Sequence, residues 1–192
     1  DLVLLHPMPH DGRFFKTIAP LLAAGRTVIA PDYPGYGGSN GLEGTPTIGI
    51  YAEAMIDTLR ARGGQAPADL FGFHTGCLVA AEMSLRYPNE VNGVVQVDVP
   101  NFSPEKREAM LQQDWATGGF RAAFQYPIES RYPKVVHRSL VIATDSSLAE
   151  PSREASQMMP GARLLELPEV TEPAMVNGAV AISEATLTFL NE

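Results

Sequence analysis

The stretch that decides the fold of this chain is residues 70–79, LFGFHTGCLV. An apolar run, LFGF, leads through one polar residue, His74, into a segment of small and apolar residues. Gly72 and Gly76 flank that histidine. Glycines in this frame are typical of a buried strand that turns sharply into a helix, because the two backbones approach closely there. The pattern predicts a tight strand-to-helix turn with the His74 side chain at its tip.

The composition is that of a globular protein. The chain has 192 residues, of which 45% are apolar, and this is enough for one domain, residues 1–192, with a full hydrophobic core. The net charge of −8 argues against nucleic acid or an anionic membrane as a partner. The single cysteine, Cys77, excludes an internal disulfide and fits a reducing compartment, so we predict a cytoplasmic protein.

No apolar run approaches the roughly 20 residues of a membrane span. The chain enters an apolar run at Leu2 without a preceding methionine, so we expect the natural N-terminus to lie upstream. The sequence leaves open whether the protein acts as a monomer or as a homodimer.

Short apolar runs alternate along the chain with segments of helical period. The runs predict strands at residues 2–5, 27–30, 70–73, 91–97, 140–143 and 163–167. Helices are predicted at 14–25, from 48 to a stop at Gly63-Gly64, from the turn at 74 to before Pro88, and after Pro151 and Gly178. This alternation favours an α/β fold with an open, mostly parallel sheet and helices on both faces. In such sheets the ligand site lies beyond the carboxyl ends of the strands.

Residues 101–138 interrupt the alternation. Their first part, SPEKREAMLQQ, predicts a helix with Ser103 as N-cap and Pro104 at the first helical position. An aromatic, proline-containing stretch follows before the next strand. We predict that this insertion forms a short lid over the site, and an ordinary surface crossover is the alternative.

Motifs along nearly the whole chain resemble those of the α/β-hydrolase family. LLHPMP stands where that family has a strand followed by His-Gly-x-Pro, and VIAPDYPGYGGSN matches its strand and Asp-x-x-Gly-x-Gly-x-Ser loop. GFHTG stands at its Gly-x-Ser-x-Gly nucleophile turn, and VVQVDVP, VIATDSSLAEP and LLELPEVTEP fall where the next three strands and their loops belong. The resemblance implies an α/β-hydrolase fold and a hydrolase-like site.

The side chains at the catalytic positions depart from the family's pattern. His74 replaces the nucleophilic serine, and Glu172 stands where the family's histidine is expected. The position of the family's acid falls on a serine just after Asp145. We therefore expect no Ser-His-Asp acyl-enzyme route, and we name His74, Glu172 and Asp145 as the candidate catalytic residues.

The resemblance also implies backbone groups at the site. The family's oxyanion hole uses the N–H after the nucleophile and one N–H from the first loop. In this chain those donors would be the amides of Thr75 and Met8. His10 lies on the same first loop, and we predict that it lines the mouth of the pocket.

Three interpretations of the altered site follow. The first is a hydrolase of a small apolar ester, thioester or lactone in which His74 activates water directly. The second is a catalytically inactive protein that binds a small molecule in the same pocket. The third is a metal site formed by His6, His10, His74 and either Glu172 or Asp145. The sequence lacks a pair of histidines on one helix, so we predict no metal and no cofactor.

Overall fold

The computed structural model describes residues 1–63 and 67–192. Six parallel strands form one sheet in the order β2-β1-β3-β4-β5-β6. The strands are β1 (Leu2–Leu5), β2 (Val28–Ile29), β3 (Ala68–Phe73), β4 (Val91–Val97), β5 (Arg138–Asp145) and β6 (Ala162–Thr171). The predicted open parallel sheet is confirmed, and β5 and β6 extend beyond the predicted runs.

The helices pack on both faces of this sheet. They are α1 (Ala19–Leu22), α2 (Ile48–Ala61), α3 (Thr75–Arg86), α4 (Pro104–Leu111), α5 (Gly118–Phe124), α6 (Ile128–Arg131), α7 (Ala149–Met158), α8 (Ala174–Asn177) and α9 (Ala179–Leu190). Among the described residues, no helix is both long enough and apolar enough to cross a membrane.

The prediction of a single helix over residues 14–25 is wrong. The segment instead forms a short 3₁₀ turn at Gly12–Phe15, capped by the Asp11 side chain, and then α1. Pro20 lies in the first turn of α1, where a missing N–H is tolerated. The helix α8 was not predicted. The stop predicted at Gly63-Gly64 lies partly outside the described residues, and α2 ends at Ala61.

Alternate strand residues build two cores, one on each side of the sheet. In β1, Val3 and Leu5 face the side covered by α2, α3 and α7, whereas Leu2 and Leu4 face the side covered by α1 and α9. This is the two-residue period of a strand whose faces are both covered. It explains why the strands read as continuous apolar runs in the sequence.

The predicted strand-to-helix turn is confirmed between β3 and α3. His74 joins the two elements with φ of 49°. A Cβ atom on Gly76 would overlap the carbonyl oxygen of Leu5, and one on Gly72 would overlap the backbone of Gly76. Glycine is therefore required at both positions by the close approach of strand and helix.

Residues 101–138 carry α4, α5 and α6 and pack beside α2 and α3. Ser103 caps α4 as predicted, because its hydroxyl accepts the Lys106 N–H. Buried residues of the segment, including Tyr126 and Tyr132, join the core on the α3 side of the sheet. The segment thus covers the carboxyl end of β3, and its motion as a lid stays a prediction.

Candidate active site

A small apolar cavity lies between the β3–α3 turn and residues 101–138. Its volume is about 230 Å³. The lining is Met8, His74, Thr75, Leu78, Pro100, Phe102, Arg107, Met110, Trp115, Phe120, Ala123, Phe124 and Leu148. Most binding pockets for drug-sized ligands measure roughly 300–1,000 Å³, so this one suits a small and largely apolar molecule.

A column of aromatic rings fixes the plane of the His74 imidazole. The His74 ring stacks on Phe73 with centroids 3.9 Å apart, and Phe73 stacks on Phe14 at 5.3 Å. His10 packs against Phe14 in a tilted arrangement, with centroids 4.9 Å apart. His74 therefore lines the cavity with its ring, while its Nε2 atom is enclosed by protein without a hydrogen-bond partner among the described residues.

The imidazole of His74 is neutral at neutral pH. Burial lowers its pKa to about 4, although the nearby negative charge of Asp98 opposes this shift. A neutral imidazole has one nitrogen that accepts a proton or binds a metal ion and one that donates a hydrogen bond. His74 is therefore in the form that a general base requires.

Asp98 is the functional candidate that the sequence analysis missed. It follows β4, it is fully buried, and its φ is 53°. The backbone N–H of Thr144 donates to Oδ1 at 2.9 Å, and the Thr144 hydroxyl donates to Oδ2 at 2.6 Å. The motif VQVDVP, an acid directly after a buried strand, is the signal that could have found it.

Three side chains from different loops meet beside the cavity. One ring nitrogen of His74 and one carboxylate oxygen from each of Asp98 and Glu172 lie within 4.8 Å of one another. Glu172 follows β6 and is exposed, and its Oε2 accepts the Ala174 N–H at 3.4 Å. The expectation that Glu172 lies near His74 is met, whereas its role stays a prediction.

Asp145 does not join this group, which corrects its choice as the site's acid. It is the last residue of β5 and its side chain is exposed. Side chains alternate along a strand, so the neighbouring Thr144 points toward Asp98 while Asp145 points away. Asp98 occupies the place that was expected for Asp145.

The Met8 amide is not a free oxyanion donor, which corrects a second expectation. Its N–H donates to the Thr75 hydroxyl at 2.8 Å, and both residues are buried. Thr75 is the first residue of α3. Its own N–H lies at the helix N-terminus, where amides have no partner within the helix and carry a partial positive charge. The Thr75 amide therefore remains the candidate donor.

Neither histidine near the first loop, His6 or His10, lines the cavity. His10 is exposed, packs on Phe14 and does not line the cavity, so its predicted place at the pocket is wrong. His6 is fully buried, with Nε2 accepting the Tyr33 N–H at 3.2 Å and Nδ1 against the Pro7 carbonyl at 3.1 Å. The alternative metal set with His6 and His10 is not assembled among the described residues.

Comparison with known proteins identifies the family to which this chain is similar. The family model for the α/β-hydrolase fold matches residues 2–158. The chain is 29% identical over 185 residues to a pimeloyl-[acyl-carrier protein] methyl ester esterase of Citrobacter koseri. That match covers 94% of this chain and 65% of the relative, so the chain spans about two thirds of the relative's length.

Solved structures show the same fold. A thermophilic esterase from Thermogutta terrifontis superposes with a TM-score of 0.84 at 16% identity, covering 99% of this chain and 89% of the esterase. An enol-lactonase from Burkholderia xenovorans superposes with a TM-score of 0.81 at 18% identity, covering 100% and 91% of the two chains. With the family match, the sheet order and the turn at His74, these likenesses lead to one conclusion: the chain belongs to the α/β-hydrolase fold family.

Proposed function

We propose that this protein hydrolyses a small apolar ester, thioester or lactone by direct attack of water, with His74 as the base. The observation that carries the proposal is the neutral His74 ring, held at an apolar cavity beside two carboxylates. In this scheme Asp98 and Glu172 stabilise the imidazolium that forms. No serine acyl-enzyme takes part.

The reaction runs in two proton transfers. The basic nitrogen of His74 accepts a proton from water while the oxygen of that water bonds to the substrate carbonyl carbon. The carbonyl oxygen becomes an oxyanion and accepts a hydrogen bond from the Thr75 N–H. The tetrahedral intermediate then collapses, the bond to the leaving alcohol or thiol breaks, and the imidazolium returns its proton to that group.

The cavity and the relatives support the substrate class. Arg107 is the only residue with a permanent charge among those that line the cavity. Its guanidinium donates hydrogen bonds to the Glu129 carboxylate and the Tyr126 carbonyl, so it is not available to pair with a charged substrate. An uncharged substrate is therefore favoured. The similar proteins named above are two esterases and an enol-lactonase, which supports ester and lactone bonds. We expect the protein to act in the cytoplasm on the basis of its single, buried cysteine.

The second candidate is a protein that binds a small molecule without turning it over. The hydrogen bond between the Met8 amide and the Thr75 hydroxyl favours it, because this bond removes one of the two expected oxyanion donors. Loss of one such donor reduces kcat by about 10²–10³ in a serine protease. The aromatic lining would still bind an apolar ligand.

The two candidates separate on a panel of chromogenic esters and thioesters. We expect the wild type to turn over short apolar members of the panel. His74→Ala removes the base and should lower kcat by about 10²–10⁴, the usual contribution of general acid–base catalysis. Wild-type activity that His74→Ala leaves intact contradicts the role of His74, and the absence of activity in the wild type favours the binding protein.

Two controls accompany this panel. His137→Ala alters a histidine just before β5, at the opposite end of the sheet from the cavity, and should keep the wild-type rate. Treatment with a serine-directed fluorophosphonate should neither label the protein nor reduce its activity. Loss of activity after that treatment would reveal a serine hydrolase, either in this chain or as a contaminant.

A further inference from the structure

Asp98, the buried carboxylate beside His74, has no ion-pair partner in the described parts of the chain. Thr144 supplies it with two hydrogen bonds but no positive charge. Burial of a charged group without an opposite charge is strongly unfavourable. The site therefore favours a bound cation.

The same three side chains have free lone pairs. The Nε2 atom of His74 is buried without a partner among the described residues. Each oxygen of Asp98 accepts one hydrogen bond from Thr144, and a carboxylate oxygen can accept two. Glu172 is exposed and can move its carboxylate toward the other two.

We propose that His74, Asp98 and Glu172 form a binding site for a divalent transition-metal cation of the zinc class. Zinc binds imidazole and carboxylate at about 2.0–2.2 Å, which places tetrahedral donors about 3.4 Å apart. The three donor atoms already lie within 4.8 Å of one another, so a modest movement of Glu172 suffices. Two carboxylates and one neutral imidazole neutralise a divalent charge.

The donor set selects among cations. An imidazole ligand favours zinc and its transition-metal neighbours, whereas magnesium and calcium prefer sites made of oxygen alone. No metal was predicted from the sequence because it lacks a pair of histidines on one helix, and the acids considered there were Glu172 and Asp145. Asp98, which was not considered there, completes the set. A neutral imidazole has one basic nitrogen, so a bound cation and the proton of the proposed hydrolysis compete for it.

The test is a calorimetric titration of Zn²⁺ into tag-free protein that has been treated with a chelator and then freed of it. We expect one cation per chain and a higher Tm in its presence. Glu172→Gln removes an exposed ligand without affecting the core and should weaken binding by at least about tenfold, since loss of even an outer partner weakens metal binding by roughly 10–100-fold. Mg²⁺ should bind far more weakly than Zn²⁺.

Asp145→Asn is the matched control, because Asp145 is an exposed acid at the neighbouring strand end that lies outside the group. It should bind Zn²⁺ as the wild type does, whereas Asp98→Asn should bind it weakly. The proposal is overturned if the wild type binds no Zn²⁺, if Glu172→Gln and Asp98→Asn bind it unchanged, or if Asp145→Asn loses as much affinity. The titration contains no substrate, so its result is independent of whether the protein hydrolyses esters.

Discussion

His74 and Asp98 are the two non-glycine residues of the described chain that have a positive φ. Their φ angles are 49° and 53°, in the left-handed region that side chains disfavour. They follow β3 and β4, which are neighbours in the sheet. The His74 N–H donates to the Val97 carbonyl and the Asp98 N–H to the Ile142 carbonyl. Such strain persists only where the surroundings hold it, and two strained residues at neighbouring strand ends support the proposal that this is the active site.

Asp98→Asn tests whether the charge of Asp98 serves catalysis. Asparagine tolerates the left-handed conformation well, and its amide can still bond the Thr144 hydroxyl, so the fold should be kept. The imidazolium of His74 would lose its buried negative neighbour. We expect kcat/KM on the ester substrate to fall by about tenfold or more, equivalent to about 1.4 kcal/mol. An unchanged kcat/KM with a native circular dichroism spectrum would show that Asp98 has no part in the reaction.

What the sequence could predict at this scale depends on how local the cause is. His74 was found because Gly72 and Gly76, close in sequence, define the turn. The hydrogen bond between the Met8 amide and the Thr75 hydroxyl joins residues 67 positions apart, so no local sequence pattern predicts it. Asp98 was missed because the acid was expected after β5, the position that the family resemblance implies. The carboxyl end of β4 lies at the same edge of the sheet and can equally supply a residue to the site.

At the scale of elements, one carboxylate ties residues 101–138 to α3. Glu82 of α3 is buried and accepts hydrogen bonds from Arg86 of the same helix and from the Tyr126 hydroxyl. Arg131 of α6 donates two more, at 2.9 and 2.7 Å. These contacts hold the segment that carries α5, and α5 forms part of the cavity wall. The amphipathic pattern of α3 did not predict this network, because a buried glutamate breaks that pattern.

Glu82→Ala should therefore loosen the segment. Hydrogen bonds to charged groups contribute about 1.5–3 kcal/mol, and partial exposure of both arginines places the effect toward the lower end of that range. We expect the free energy of unfolding in urea to fall by about 2 kcal/mol. Glu150→Ala removes an exposed pair with Arg153 and should change it by less than about 1 kcal/mol. Equal effects of the two substitutions would contradict the role given to Glu82.

The same network gives the stability a dependence on pH. Burial raises the pKa of Glu82, but the hydrogen bonds from Arg86, Arg131 and Tyr126 more than offset this and leave the pKa below its ordinary value. The folded state thus holds the proton less tightly than the unfolded state, so the contribution of Glu82 is fully present above pH 4.5 and is lost as the pH falls through its folded pKa. In Glu82→Ala this part of the acid destabilisation should be absent in urea titrations.

At the scale of the whole molecule, the sheet could be predicted because its cause is repeated along the chain. The four inner strands are covered on both faces, which produces apolar runs separated by helical segments. The bounds of β2 and β6 could not be read in the same way. They are the edge strands, where β2 has only two paired residues and most of β6 is not buried. Edge strands carry weaker hydrophobic patterns because they bury less surface.

The cavity could not be predicted from any single segment, because its walls come from the loop after β1, the β3–α3 turn, α3, the loop after β5 and residues 100–124. Trp115, the single tryptophan of the chain, lines it while remaining 51% exposed. Its indole packs edge-on against Phe120 and Phe124, with centroids 5.6 and 5.7 Å away. A ligand that enters the cavity must therefore change the environment of this one fluorophore.

Fluorescence titration with N-methylbenzamide, an unreactive analogue of a small ester, tests this reading of the cavity. We expect a saturable change in Trp115 emission in the wild type. Leu78→Phe adds volume to a buried position on the cavity wall and should weaken binding by about tenfold, or about 1.4 kcal/mol, because the cavity of about 230 Å³ has little room to spare. Val180→Phe adds the same kind of ring to an exposed position on α9 and should bind as the wild type does. If Leu78→Phe binds the amide with unchanged affinity, the ligand lies outside this cavity, and the assignment of the apolar hollow as the substrate site fails with it.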